Sequence, residues 1–262
     1  DGFRSVIDYW PESHEAKLSA YLIGKSYKSI GEVKKAEAAY GKAIASHPVD
    51  HIAVLSKWDM AEIARIHKDA KRLAQVWSDL VFNTKLNKQN RYYIERAARG
   101  LARHHFAEPD FAKARKVLKA LYSDDALVDA IYQNAKEAIS HLCSDDKTRR
   151  SGEQLADRII TLLLDETLEI KPSGNGADEI REWFRRAARL HERAGRDLDV
   201  IKTYERLAKR IGMDDGVRSS IAAWQRAKKR YPKARELYAQ FDDKIDGLIQ
   251  IASTWLDEGQ PA

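Results

Sequence analysis

The sequence predicts an all-α fold made of helical hairpins stacked in chain order, and three observations support this prediction. Apolar residues recur at helical spacing along most of the chain. Glycine and proline fall mostly between these periodic segments, where they separate one helix from the next. Hydrophobic residues make up 44% of the 262 residues and charged residues 33%, which suits a folded, helix-rich chain rather than a disordered one.

Residues 17–50 contain the clearest hairpin. Their spacing predicts a first helix, a tight turn at Gly31-Glu32, a second helix and a stop at Pro48. The residues that set the pattern are Gly24, Tyr27, Gly31, Ala36, Tyr40, Ala43 and Pro48. A single hairpin of this kind cannot bury its own apolar face, so we expect further hairpins packed on both sides of it.

Two more hairpins follow at the same offsets. The second is expected over residues 51–82 and the third over residues 90–122, with a turn at Pro109. A fourth, less regular pair begins with an apolar helical face between Leu127 and Leu142. A polar loop then leads to Ser151-Gly152-Glu153-Gln154, which predicts a capping box at the start of the next helix.

The last third of the chain returns to the hairpin pattern after a Pro/Gly/Ser-rich stretch, residues 171–178, which predicts a loop or hinge. A fifth hairpin has turns at Gly195 and Gly212, and a sixth has its second helix opening at Tyr231-Pro232. Residues 244–258 predict a closing helix that covers the last hairpin. Its apolar face is expected to comprise Ile245, Leu248, Ile249, Ala252 and Leu256.

This pattern gives a division of the chain into four parts. Residues 1–14 are expected to be the second helix of a truncated preceding repeat, because Phe3 to Trp10-Pro11 align with the end of the first full hairpin. Residues 15–170 form the N-terminal array, residues 171–178 the loop or hinge, and residues 179–262 the C-terminal hairpins and closing helix. We expect the whole to be one continuous solenoid.

Residues 17–50 resemble the tetratricopeptide repeat, and residues 180–212 resemble it less closely. That repeat has a period of about 34 residues and a small–aromatic–Ala–aromatic–Ala–Pro signature. The resemblance implies a right-handed superhelical α-solenoid of about six helix–turn–helix units with a C-terminal capping helix. Its signature residues are a packing code, so no functional residue is carried over from it. It implies a non-catalytic scaffold for protein–protein interactions.

In the family, the first helix of each pair lines a concave groove, and the same offsets here give basic and aromatic side chains. Arg is suited to bidentate contacts with carboxylates or phosphates, and Trp and Tyr add contact area. We therefore expect the groove to bind an extended or acidic protein or peptide segment. The groove residues are Tyr21, Lys25, Lys28, Trp58, Glu62, Arg65, Arg96, Arg99, Arg103, Tyr132, Lys136, Arg185 and Arg189.

The sequence gives no support for a catalytic or a metal-binding site. It contains no nucleophile elbow, zinc-protease helix or dinucleotide fingerprint, so we expect neither an enzyme nor a cofactor. Cys143 is the only cysteine and predicts a buried thiol. Adjacent residues on a helix diverge by about 100°, so His104 and His105, with Glu108, are interpreted as packed or half-exposed residues rather than metal ligands. His47 and His51 flank Pro48 and are not expected to share a metal.

Two other functions stay open at this stage. Tyr204-Glu205-Arg206-Leu207-Ala208 is similar to a stretch of RNA-binding half-a-tetratricopeptide arrays, but the net charge of +6 is modest for a nucleic-acid binder. The chain could also be the superhelical part of a larger envelope enzyme. Trp10-Pro11-Glu12-Ser13 resembles a junction of bacterial envelope members and favours the periplasm over the cytoplasm. No stretch predicts a transmembrane helix, and the sequence does not specify the oligomeric state.

Overall fold

The structure is a computed structural model that describes residues 2–46 and 50–259, except for the side chain of Asp125. Within these ranges every regular element is an α-helix, as predicted. The helices are α1 (Gly2–Tyr9), α2 (His14–Ser29), α3 (Val33–Ser46), α4 (His51–Ile66), α5 (Ala70–Phe82), α6 (Arg91–Ala107), α7 (Phe111–Lys119), α8 (Asp124–Ser144), α9 (Arg149–Asp165), α10 (Asn175–Arg193), α11 (Asp197–Ile211), α12 (Asp215–Ala227), α13 (Tyr231–Ala239) and α14 (Lys244–Asp257). None of these described helices is long and apolar enough to cross a membrane. The predicted helix stop at Pro48 and the neighbouring His47 lie outside the described residues.

Helices that follow each other in the chain pack against each other. The helical pairs are α2 with α3, α4 with α5, α6 with α7, α10 with α11, and α12 with α13. These pairs coincide with predicted hairpins. The chain divides into two compact units, unit 1 (Asp1–Asn134) and unit 2 (Ala135–Ala262), and the boundary falls inside α8.

The first hairpin of unit 1 is held by a cap, a glycine turn and a tyrosine. Ser13 caps α2, because its hydroxyl accepts a hydrogen bond from the backbone N–H of Ala16 at 3.0 Å. Gly31 lies in the turn with φ of 79°, a conformation that side chains rarely adopt. Ala36 and Tyr40 are fully buried. The turn and the inward positions predicted for this hairpin are therefore confirmed.

The next two hairpins use aspartate caps at the start of their second helices. The carboxylate of Asp69 accepts a hydrogen bond from the backbone N–H of Arg72 at 2.9 Å. The carboxylate of Asp110 accepts one from the backbone N–H of Lys113 at 3.0 Å, directly after the predicted turn at Pro109. Each cap satisfies a donor that the first turn of a helix leaves free.

The capping box predicted at Ser151-Gly152-Glu153-Gln154 is wrong. Helix α9 begins two residues before Ser151, and no side chain caps it. The hydroxyl of Thr148 donates to the carbonyl of Leu142 at 2.7 Å and closes the preceding loop instead. A Cβ atom on Gly152 would lie 2.6 Å from Sγ of Cys143, so the first turn of α9 packs tightly on α8. Close packing of the two helices accounts for this start.

Unit 2 has the predicted turns and inward residues in its two regular hairpins. Gly195 and Gly212 lie at the predicted turns with φ of 72° and 92°. Pro232 lies in the first turn of α13, where its missing N–H is tolerated. The sixth hairpin is closed by a cluster of buried residues, which are Ala222, Ala234, Tyr238 and Phe241.

The prediction of which face of α14 is buried is wrong. Ile245, Leu248, Ile249 and Leu256 are between 60% and 74% exposed. The buried positions on this helix are Gly247 and Thr254, and Ile251 packs against the cluster of the sixth hairpin.

A close helix contact explains this orientation of α14. A Cβ atom on Gly247 would lie 2.5 Å from the carbonyl oxygen of Tyr238, so only glycine allows the approach. Asp243 caps the helix by accepting hydrogen bonds from the backbone N–H groups of Ile245 and Asp246 at 3.0 and 3.1 Å. Helix α14 thus packs on the sixth hairpin through its glycine face and leaves an aliphatic face exposed.

Candidate functional site

The first of the predicted groove residues, on α2, form a half-buried ion pair and an aromatic contact. Lys28 Nζ lies 2.5 Å from Asp59 Oδ1, and the hydroxyl of Tyr40 donates to Asp59 Oδ2 at 3.3 Å. The rings of Tyr21 and Tyr40 lie 5.9 Å apart, and Lys25 lies 5.8 Å from the centre of the Tyr21 ring. Burial and the charge of Asp59 raise the pKa of both tyrosines. Lys28 is therefore neutralised, whereas Lys25 is exposed.

An aromatic cluster lies beside these residues, where α4 meets α6. The ring of Trp58 lies 6.5 Å from Tyr92 and 5.5 Å from Tyr93. The guanidinium of Arg96 lies 5.7 Å from the centre of the Trp58 ring and 5.8 Å from that of Tyr92. It also donates to the hydroxyl of Tyr92 at 2.5 Å. Sequence reasoning found Trp58 and Arg96 but missed Tyr92 and Tyr93, although Tyr92 precedes Arg96 by one helical turn.

The other arginines predicted in unit 1 each have a partner. Arg65 pairs with Glu62 at 2.8 Å, one turn before it. Arg99 donates to the hydroxyl of Tyr122 at 3.3 Å, and Arg103 donates to Asn134 at 3.2 Å. The predicted three-arginine stripe of α6 is therefore present, but its guanidinium groups also hold local contacts.

The two residues predicted on α8 lie in different surroundings. Tyr132 is buried, with 4% of its surface exposed, and Lys136 is half-buried. The guanidinium of Arg193 donates to the carbonyl oxygen of Lys136 at 3.2 Å and to the hydroxyl of Ser140 at 2.9 Å. Of the two predicted groove residues on α8, Tyr132 is therefore packed in the interior, and Lys136 accepts a hydrogen bond at its backbone carbonyl.

In unit 2 a groove of about 560 Å³ runs between α10 and α12, with α11 at its base. We call it the α10–α12 groove. Arg181, Arg185 and Arg189 lie along one wall at successive turns of α10. The remaining lining residues are Ala188, Glu192, Val200, Tyr204, Gly216, Ser219, Ser220, Ala223, Trp224 and Ala227.

Arg181 anchors one end of the α10–α12 groove. Its guanidinium pairs with Asp178 on its own helix and with Asp214, the cap of α12, at 2.7 Å. A Cβ atom on Gly216 would lie 2.7 Å from Nε of Arg181, so the glycine makes room for the side chain. Arg181 joins the two walls, and sequence reasoning missed it because its partner on the other wall, Asp214, lies 33 residues away in the chain.

Arg185 and Arg189 differ in how they are engaged. Arg185 donates to Glu182 at 2.8 Å. Arg189 is exposed and, among the described residues, has neither an ion pair nor a hydrogen-bond partner. Burial raises the pKa of Tyr204, and the positive charges of Arg185 and Arg189 act in the opposite direction. In the groove, the unpaired guanidinium of Arg189 thus lies near the buried Tyr204.

Trp224 also lines the α10–α12 groove. Its side chain is 6% exposed, and its indole N–H is buried without a hydrogen-bond partner among the described residues. The guanidinium of Arg230 lies 5.2 Å from the centre of its ring. Glu192 and Asp197 hold Lys228 at 3.5 and 3.1 Å, so the acidic groups nearby are already paired.

The single cysteine is buried in α8, as predicted. Burial raises the pKa of Cys143, and the charge of Glu153 acts in the same direction. A thiol held in the protonated form is a poor nucleophile. The candidate surfaces described above present guanidinium groups and aromatic rings.

The packing defines a class of fold. Within each unit, helix–turn–helix pairs follow in chain order, with small residues where helices approach and aromatic residues where hairpins meet, as at Gly24 and Tyr40. This is a tetratricopeptide-like array of helical hairpins, as the resemblance implies.

Comparisons with known proteins give structural similarity without a match in sequence. No protein-family model matches the chain, and no curated protein matches it in sequence. The fold is similar to the crystal structure of a tetratricopeptide repeat protein from Parabacteroides merdae ATCC 43184, determined at 2.39 Å resolution. The two share 9% sequence identity with a TM-score of 0.39, over 96% of this chain and 89% of that one. A similarity at this level carries no information about a ligand or a partner.

Proposed function

We propose that the protein is a non-catalytic interaction scaffold and that its α10–α12 groove binds an acidic peptide segment. The observation that carries the proposal is that the guanidinium of Arg189 is unpaired. It is exposed, lines the groove, and forms no ion pair among the described residues. A carboxylate of a partner would form a charge-assisted and bidentate contact with it.

The size and lining of the groove fit a peptide. A volume of about 560 Å³ lies within the range of sites that bind small molecules or peptide side chains. Tyr204 and Trp224 supply aromatic surface, while Ser219 and Ser220 supply hydroxyl groups on the opposite wall from the arginines. This mixture of rigid aromatic and adaptable polar contacts is typical of peptide-binding surfaces.

A second surface of the same chemistry in unit 1 supports an acidic partner. The guanidinium of Arg96 lies 5.7 Å from the centre of the Trp58 ring and 5.8 Å from that of Tyr92, and Lys25 is exposed beside Tyr21. A carboxylate can bind a guanidinium that lies beside aromatic rings through its free N–H groups. We propose that this surface contributes to the binding of the same kind of segment.

Fluorescence anisotropy with labelled peptides tests the proposal. One peptide alternates Glu with Gly and Ser, and its matched counterpart carries Lys in place of Glu. We expect the chain to bind the acidic peptide and not the basic one, with affinity falling steeply between low salt and about 0.5 M NaCl because the contact is ionic. Replacing Arg185→Ala and Arg189→Ala together is expected to weaken binding at least about tenfold.

The matched control removes two other arginines, Arg115→Ala and Arg150→Ala, which are exposed and lie outside the α10–α12 groove. It lowers the net charge by the same amount and is expected to bind the acidic peptide like the parent. Equal loss of binding in both double variants would show a general charge effect and refute the groove. Binding of single-stranded RNA in preference to the acidic peptide at low salt would favour the nucleic-acid alternative.

A further inference from the structure

We propose that His104, His105 and Glu108 form a binding site for a divalent transition-metal ion such as Zn²⁺. The three residues lie at the end of α6 and just beyond it, and each offers one ligand atom. These three atoms all lie within 4.8 Å of one another. The sequence favours packed or half-exposed histidines at this place, and the structure brings their rings together with the carboxylate.

The pair His104 and Glu108 already has the spacing of two metal ligands. Nε2 of His104 lies 3.5 Å from Oε1 of Glu108. Two ligand atoms at about 2.0–2.1 Å from a tetrahedral Zn²⁺ ion lie roughly 3.4 Å apart. The pair therefore spans one edge of a coordination tetrahedron with the side chains as they stand.

His105 completes the set with a small movement. The centres of the His104 and His105 rings lie 5.5 Å apart, with their planes inclined at 49°. Adjacent residues on a helix diverge at their Cβ atoms. At the end of α6, however, the imidazole rings of His104 and His105 lie close together. Nδ1 of His105 is buried and has no hydrogen-bond partner among the described residues. The ligand atoms lie within 4.8 Å of one another, so a shift of at most about 1.4 Å brings that of His105 to the roughly 3.4 Å spacing of tetrahedral ligands.

The surroundings of the three residues favour a cation. The C-terminal end of a helix carries a partial negative charge, and the site lies at that end of α6. The two lysines that face it from α7 are engaged elsewhere. Nζ of Lys113 lies 2.8 Å from Asp110, and Lys116 lies over the ring of Phe82 at 5.6 Å.

The donor set indicates which metals would bind. Two imidazole nitrogens and one carboxylate oxygen suit Zn²⁺, Co²⁺, Ni²⁺ or Cu²⁺, whereas Mg²⁺ and Ca²⁺ prefer oxygen ligands alone. Three protein ligands leave one tetrahedral position open. Here that position adjoins a groove of about 950 Å³ lined by residues of α5, α6 and α7, which has room for a water molecule or a ligand from a partner.

Isothermal titration calorimetry with ZnCl₂ on tag-free protein at neutral pH tests the site. We expect one Zn²⁺ ion per chain, no binding of Mg²⁺, and a d–d absorption spectrum of tetrahedral type when Co²⁺ is added. Single replacements His104→Ala, His105→Ala and Glu108→Gln should each weaken Zn²⁺ binding at least about tenfold, because each removes one of three ligands. Circular dichroism of the metal-free variants checks that their helix content is retained.

His141→Ala is the matched control, since this histidine is exposed on α8 and is not one of the three clustered residues. It should bind Zn²⁺ like the parent. Absence of Zn²⁺ binding in the parent, or equal binding in the parent and all three ligand variants, would overturn the proposal. Thermal unfolding gives an independent measurement, because Zn²⁺ should raise the midpoint of the parent and leave that of His104→Ala unchanged.

Discussion

Gly24 and Tyr40 touch so closely that a Cβ atom on the glycine would lie 2.4 Å from Cε1 of the tyrosine ring. The Tyr40 ring has no free space around it into which it could shift. It is fully buried among Ala36 and Ile63, and its hydroxyl donates to Asp59. The glycine therefore sets how closely α2 and α3 approach.

Gly24→Ala should consequently destabilise the protein. Alanine favours a helix over glycine by about 1 kcal/mol, but the forced contact with Tyr40 is expected to outweigh that gain. We expect the free energy of unfolding to fall by about 1–3 kcal/mol, measured by urea denaturation. Gly41→Ala is the control, because nothing lies within 4 Å of its Cβ position on α3. It should stabilise by about 0.5–1 kcal/mol, and equal effects of the two variants would contradict the packing role of Gly24.

The first hairpin and α14 show how much of the fold the sequence predicts. At Gly24 and Tyr40 the repeat pattern encodes the packing itself, so spacing was enough to find the inward residues. On α14 the apolar periodicity identifies an apolar face, but burial follows the small residue that permits close approach. The face of α14 that carries Gly247 is the buried one. A single glycine among aliphatic residues is a weak indication, in the sequence, of which face is buried.

The candidate site was also partly predictable. The repeat offsets named Arg185 and Arg189, which line the α10–α12 groove, and their role in binding stays a prediction. Arg181 was missed because its role depends on Asp214, 33 residues away and on another helix. Tyr132 was offered as a groove residue, but it is buried, because the register of the irregular fourth pair cannot be read from spacing.

Helix α14 gives the second prediction, a ranking of two substitutions. Gly247→Ala should lower the free energy of unfolding by about 2 kcal/mol, because its Cβ would meet the backbone carbonyl of Tyr238 at 2.5 Å. Ile249→Gln, on the 60% exposed position two residues later, should change it by less than about 0.5 kcal/mol. Thermal unfolding of the two variants measures the ranking. The reverse order would mean that the aliphatic face is the buried one.

The ion pair of Lys57 and Asp79 gives the third prediction. Nζ of Lys57 lies 2.6 Å from Asp79 Oδ2, and the lysine side chain is only 8% exposed. Asp79→Asn would leave that lysine buried without its counter-charge, which should lower the free energy of unfolding at neutral pH by about 2 kcal/mol. Glu32→Gln is the control. It breaks the exposed pair with Lys35 and should have an effect below about 0.5 kcal/mol.

The same pair makes the effect of Asp79→Asn depend on pH. Burial raises the pKa of Asp79, but hydrogen bonds from Lys57 and Asn83 outweigh it and hold the pKa below its usual value. The carboxylate therefore stabilises the fold fully above its unfolded pKa of about 3.9, and this contribution is lost as pH falls through the folded value. The difference in stability between parent and variant should shrink below about pH 4. A difference that stays constant into acid would contradict the role of the charge.

His191 gives the last prediction, a weakening of the fold in mild acid. It is half-buried on α10, and its Nδ1 is buried without a hydrogen-bond partner among the described residues. Burial lowers the pKa of His191, and the charge of Arg196 lowers it further, against the opposing charges of Asp199 and Asp157. The folded state therefore holds the neutral ring, whereas the unfolded chain takes up a proton near pH 6.5.

The sign of the pH effect follows from that difference. Because the unfolded state binds more protons below about pH 6.5, the contribution of His191 is fully present above that pH and decreases as pH falls toward the folded pKa. His191→Gln removes the group, so the slope of unfolding free energy against pH between about 5 and 7 should flatten relative to the parent. His141→Gln, at an exposed position, serves as the control and should keep the slope of the parent. An unchanged slope in His191→Gln would show that the ring titrates alike in both states.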